Sequence, residues 1–177
     1  MEIESILEIV KYLLPAVLVL VGVSIILNQV QKRNDRLEMY QIRQESLSKV
    51  IPLRLNAYER GVLFLERIRP DNLLLRCQGS GKSAKAFQAQ LNMEIRSEYE
   101  HNISQQVYIS NEAWRELVNA KEKMLSLINQ SAKEIENNAT GVDLGKAILA
   151  NFSQEEEDPI RRGILALKSD LNRVFRA

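Results

Sequence analysis

From Tyr12 to Gln31 the chain carries no charged residue, and Tyr12 to Leu27 reads YLLPAVLVLVGVSIIL. As a helix rising 1.5 Å per residue this run is about 24 Å long, a little short for a hydrocarbon layer of about 30 Å. Ile9 and Val10 lengthen it when Lys11 stretches its ammonium to the interface beside Tyr12. The pattern therefore predicts a transmembrane span over 9–27, built on Ile9, Leu13, Leu18, Val21, Ile25 and Leu27. A cleaved signal peptide would start basic and end in small residues, whereas this start is MEIESILE and the run ends in LNQVQKR. A buried core helix would keep a polar stripe, and Leu13 to Leu27 offers only Ser24. Pro15 and Gly22 are tolerated in a membrane helix, and Gly22 alone makes no G-x-x-x-G pairing motif.

Beyond the span the apolar positions thin out to helical stripes. Asn28 to Val50 holds no Gly or Pro and places Leu37, Tyr40, Leu47 and then Ile51 at three-, seven- and four-residue spacing, a polar stalk with one candidate contact stripe. Pro52 is expected to interrupt or bend this helix, after which Leu55, Tyr58, Val62 and Leu65 repeat until Pro70. The run RPDNLLLRCQGSGKS reads as a connection with a short turn at Leu73 to Leu75. Ser83 can cap a helix whose stripe is Phe87, Leu91, Ile95, Tyr99, Ile103 and Val107, ending near Tyr108. Ser110 caps the next, with Ile109 and Trp114 as a hydrophobic staple and a stripe through Leu117, Val118, Leu125, Ile128, Ala132 and Ile135. A short helix follows over Leu144 to Phe152, then the acidic loop QEEED. Asp158-Pro159 opens a last helix with Ile160, Ile164, Leu167, Leu171 and Val174 buried.

With no period-2 strand and no internal repeat, these segments predict an all-α fold: an N-terminal transmembrane helix continuing into a stalk and an antiparallel helical bundle. The expected organisation is an anchor over 1–31, a juxtamembrane stalk over 32–51 and a bundle domain over 52–177.

Composition adds a globular balance, 45% hydrophobic and 27% charged, with 7 Gly and 4 Pro, too few for a loop-rich chain. Setting aside Lys11 and Glu2, Glu4 and Glu8 leaves 23 of the 24 basic residues against 20 of the 23 acidic ones from Lys32 onward, too even a balance for nucleic-acid binding. The local imbalance matters more. Lys32, Arg33, Arg36 and Arg43 follow the span and only Lys11 precedes it, which places the carboxyl-terminal side in the cytoplasm and the N-terminus outside. Held against anionic lipid, Lys32, Arg33 and Arg36 would contribute roughly 1 kcal/mol each, too little to make lipid reading the main task.

Candidate chemistry is sparse. Gly81-Lys82-Ser83 has the tail of a phosphate-binding loop, but its first glycine would fall at Arg76 and no strand ends in a magnesium-binding Asp. Glu98 and His101 form E-x-x-H, a spacing that puts two metal ligands on one helix face, with Glu94 one turn earlier. The chain's single His supplies no second such pair, and the lone Cys77 can form neither an internal disulfide nor, with His101, a zinc site. Glu59 and Glu66, seven apart, share a face amid Arg54, Arg60, Arg67, Arg69 and Arg76, the residue type suited to bidentate pairs. Glu59, Glu66, Glu98 and His101 thus form a candidate polar cluster, with hydrogen bonding between helices as its plainer role. No nucleophile elbow surrounds Cys77 or His101, and no cofactor is implied.

The segments PLRLNAYERGVLFLERI, NLLLR and EYEHNISQQVYISNEAW, behind an acidic start and a short anchor, resemble a family of uncharacterised bacterial single-pass membrane proteins bearing a domain of unknown function. The resemblance runs from anchor to last helix and implies an inner-membrane location, with no activity or cofactor to carry over. The expected function is a membrane-tethered cytoplasmic interaction or scaffold protein, whose partners are the lipid bilayer and either another protein or further copies of itself. The alternative is a metal-dependent or hydrolytic enzyme using the Glu59, Glu66, Glu98 and His101 region.

Overall fold

The computed structural model describes residues 2–176, with side chains placed for 18–29, 31–33, 39, 44, 45 and 48–174. The chain is helical: α1 (Glu2–Ile68), α2 (Pro70–Cys77), α3 (Ala84–Asn102), α4 (Asn111–Glu134), α5 (Gly141–Ser153) and α6 (Pro159–Arg176), with a 3₁₀ turn over Ile103–Val107. Among the described residues β pairing is limited to one isolated antiparallel bridge between Ser83 and Thr140. Two compact units divide the chain, Met1–Val50 and Ile51–Ala177.

In the first unit Leu18, Val19, Leu20, Val21, Val23, Ile25, Ile26 and Leu27 are 47% to 69% exposed, so apolar side chains stand uncovered all round the helix. Among the described residues no helix is long and apolar enough to cross a membrane. The apolar run enters the described side chains only at Leu18; Ile9 and Leu13 lie outside them, as do Arg36, Leu37, Tyr40 and Leu47. Lys32 and Arg33 are exposed.

The second unit is a helical bundle. Its segment of α1 lies antiparallel to α6: Tyr58 meets Asp170, Gly61 faces Leu167, Leu65 faces Gly163, and Arg69 pairs with Asp158. Phe64 and Leu65 on α1, Phe87 and Leu91 on α3, Leu117 and Ile128 on α4, and Ile148 on α5 are all but inaccessible, which makes one continuous core. Ser83 and Ser110 cap α3 and α4 as predicted, accepting from Ala86 and Ala113 N–H at 3.3 Å each. Asp158 caps α6, accepting from Ile160 N at 2.8 Å and Arg161 N at 3.0 Å.

Several expectations need correction. The helix is not interrupted at Pro52; the proline is exposed, so the Ser48 carbonyl that loses its donor lies at the surface. The buried face of α1 is Ala57, Tyr58, Gly61, Phe64, Leu65 and Ile68, while Leu55 is 48% exposed. Gly61 turns the helix this way by letting Leu117 and Leu167 close on its bare Cα. Pro70 opens a helix instead of a loop, because the first turn needs no proline N–H, and Leu73 and Cys77 on α2 are buried. The α3 stripe stops at Asn102, whose side chain donates to the Glu98 carbonyl at 2.7 Å, and Ile103 and Val107 in the 3₁₀ turn are 43% and 79% exposed. Helix α5 starts three residues early, at Gly141, because Thr140 and Asp143 form a reciprocal capping box.

Candidate functional site

A groove of about 560 Å³ opens between α1 and the last turns of α3, lined by Asn56, Glu59, Arg60, Leu63, Phe64, Arg67, Glu98, His101 and Asn102. It brings together Glu59, Glu98 and His101. Glu66 lies apart, 3.9 Å from the Arg69 guanidinium, and its backbone carbonyl accepts from Asn72 at 2.8 Å.

Glu98 is the best enclosed of these carboxylates, and its charge is already matched. Arg67 approaches its Oε1 at 3.0 Å and Arg76 at 3.4 Å, and Arg76 also stands 3.9 Å from Glu94. Two guanidinium groups thereby tie α1 and α2 to α3. His101 Nδ1 lies 2.6 Å from the Ser97 carbonyl; a carbonyl only accepts, so Nδ1 carries the proton and Nε2 is the basic nitrogen. Among the described residues no three His, Cys, Asp or Glu converge as a metal site. The E-x-x-H spacing exists, but its glutamate serves as an ion-pair hub.

The Gly81-Lys82-Ser83 segment is likewise occupied with its own loop. Lys82 Nζ donates to the Cys77 and Gln78 carbonyls at 2.9 and 3.0 Å and to Gln90 Oε1 at 2.6 Å, which uses all three of its protons. Gly81 takes a φ of +74°, the left-handed turn that glycine favours.

A larger open groove, about 1050 Å³, runs between α4 and the α5–α6 junction and is rimmed by the acidic loop. Glu116, Glu122, Glu134, Glu155, Glu156 and Glu157 line it against Lys123 and Arg162. Arg162 is shared between Glu116 at 2.7 Å and Glu157 at 3.2 Å. The amides of Asn151 and Gln130 hold the Glu134 carboxyl below the usual carboxylate range. The sequence shows the loop's charge but not the helix that turns it into a groove wall.

The polar feature least visible in the sequence is Asp170, 5% exposed within the apolar face of α6. Its Oδ2 accepts from Tyr58 Oη at 2.7 Å and from Ser110 N at 3.0 Å. Burial alone would raise the Asp170 pKa, but those two donors outweigh it and the carboxyl is held below its ordinary value. Burial first, and then the bond to Asp170, push the Tyr58 phenol up to about 12. The available signal was an acid at the spacing of Leu167, Leu171 and Val174, inside a stripe otherwise apolar.

Residues 4–174 match a family of unknown function, DUF7935, and the chain belongs to it. No curated protein and no solved structure matches the chain.

Proposed function

We propose that this DUF7935 member is a membrane-tethered helical interaction protein. In this reading α1 anchors it in a bacterial inner membrane with the N-terminus outside, and the bundle is presented to the cytoplasm for a protein partner or a second copy. The observation that carries the reading is the exposure of Leu18 to Leu27. Eight large apolar side chains there are 47% to 69% exposed around the helix, and burying what each still exposes would gain roughly 1–2 kcal/mol. Such a surface is unstable in water and suited to lipid. Lys32 and Arg33, exposed just beyond it, and Arg36 in the sequence supply the basic flank that orients the anchor.

The enzymatic alternative has weaker support, since Glu98 is matched by Arg67 and Arg76 and Glu66 stands apart from the groove. Fractionation tests the tether. Membranes washed in high salt should retain the full chain and release a chain that begins at Gln31. Retention of the shortened chain would overturn the proposal.

A further inference from the structure

We infer that the stripe of α1 between Arg33 and Arg54 is covered by a second copy of this chain, the two helices running parallel as a short two-stranded coiled coil over Leu37 to Ile51. This rests on the tethered reading above, because anchors in one bilayer make both helices run the same way.

On α1 Tyr58, Gly61, Leu65 and Ile68 are spaced by three, four and three, and this is the seam that meets α6 at Asp170, Leu167 and Gly163. Stepping back in the same alternation passes Arg54, Ile51, Leu47, Gln44, Tyr40, Leu37 and Arg33. The candidate contact stripe therefore holds the seven-residue register of the packed seam, with an arginine bounding it at each end. A sustained spacing of 3.5, as opposed to 3.6, is the pattern that keeps one stripe facing a partner helix. Ile51 is 39% exposed, and Gln44 and Val50 are exposed.

A second copy fits this stripe better than an unlike helix for two reasons. Gln44 occupies the same kind of seam position as Leu37 and Ile51. In a parallel, in-register pair the two Gln44 amides meet and bond to each other, whereas a shift by one heptad sets each amide against Leu37 or Ile51. The flanking charges agree. In a parallel pair Arg36 and Arg43 face Gln41 and Ser48 of the other copy, but in an antiparallel pair the arginines would face arginines. Two heptads alone make a marginal coiled coil, and confinement to one membrane raises the effective concentration of the partner helix.

Disulfide trapping of the full chain in native membranes tests the inference. Cys77 can stay in place, since it is 5% exposed and burial pushes its thiol up and out of reactivity. Under mild oxidation Leu47→Cys and Gln44→Cys should each run as disulfide dimers, and Lys49→Cys, on the opposite side of the helix, should stay at least tenfold less crosslinked. In the same membranes Leu47→Glu should abolish the Gln44→Cys dimer. Equal crosslinking at Leu47→Cys and Lys49→Cys, none at either seam position, or a Gln44→Cys dimer undiminished by Leu47→Glu would overturn the inference. The same membranes, salt-washed, separate the two claims. A chain retained but monomeric sinks the dimer alone, and a chain washed off sinks the tether.

Discussion

The Tyr58 phenol on α1 donates a 2.7 Å hydrogen bond to the Asp170 carboxylate on α6, and both residues are buried. The same carboxylate oxygen receives the Ser110 backbone N–H at the start of α4, so three helices of the bundle meet on one acid. Tyr58→Phe removes one donor and should cost about 1–2 kcal/mol. Asp170→Ala strands the phenol and the Ser110 N–H together and should cost about 2–4 kcal/mol. Urea unfolding of both variants checks the order; an Asp170→Ala chain no less stable than Tyr58→Phe would show that the carboxylate is not the common acceptor.

The same pair sets a pH dependence at both extremes. The folded Asp170 pKa lies below its ordinary value, so its contribution is full above the unfolded pKa near 4 and drains away as pH falls through the folded value. Tyr58 works at the other end. Raised to about 12, it favours the protonated phenol in the fold, and its contribution is lost as pH climbs from about 10 toward that value. Stability measured against pH should fall at both ends, and Tyr58→Phe should flatten the alkaline limb.

Gly141 opens α5 against the backbone of Gly79, and a Cβ placed there would stand 2.5 Å from the Gly79 carbonyl oxygen. Backbone cannot swing aside as a side chain can, and this stretch is also held by Gly141 N–H to the Lys82 carbonyl at 2.8 Å. Gly141→Ala should therefore destabilise the bundle by about 1–3 kcal/mol, whereas Gly145→Ala, whose added methyl meets only Leu74 at 3.7 Å, should be close to neutral. Thermal unfolding of the two side by side decides it.

In the groove between α1 and α3, Glu98→Gln should cost no more than about 1 kcal/mol, because Arg67 is half exposed and water takes over much of its solvation. His101 is exposed and bonded only within its own helix turn, so His101→Gln should fall within about 0.5 kcal/mol of the unaltered chain. A larger loss on chemical unfolding would mean that the groove closes more tightly than its side chains indicate.

The features legible in the sequence were those set by local chemistry. Ser83, Ser110 and Asp158 announce helix starts because their oxygens satisfy N–H groups a few residues on. Phe87, Leu91, Ile95, Leu117 and Ile128 announce a core by their spacing. What escaped depends on contacts distant along the chain. Leu55 and Val107 read as core by period but are 48% and 79% exposed. Gly79 and Gly141, far apart in sequence, look like ordinary loop glycines until their backbones touch. Glu59, Glu98 and His101 share one groove and Glu66 does not, and neither the arginines that occupy Glu98 nor the partnership of Asp170 with Tyr58 could be read from spacing.

The tether is tested most directly by labelling membranes that contain the full chain with a photoactivatable apolar probe confined to the acyl layer, then mapping the modified residues by mass spectrometry. Label should concentrate within residues 9–27, with Leu18 to Leu27 modified and the core helices α3 to α6 spared. Label spread over the bundle, or an unmodified Leu18 to Leu27 in membranes that retain the protein, would contradict an anchor in α1.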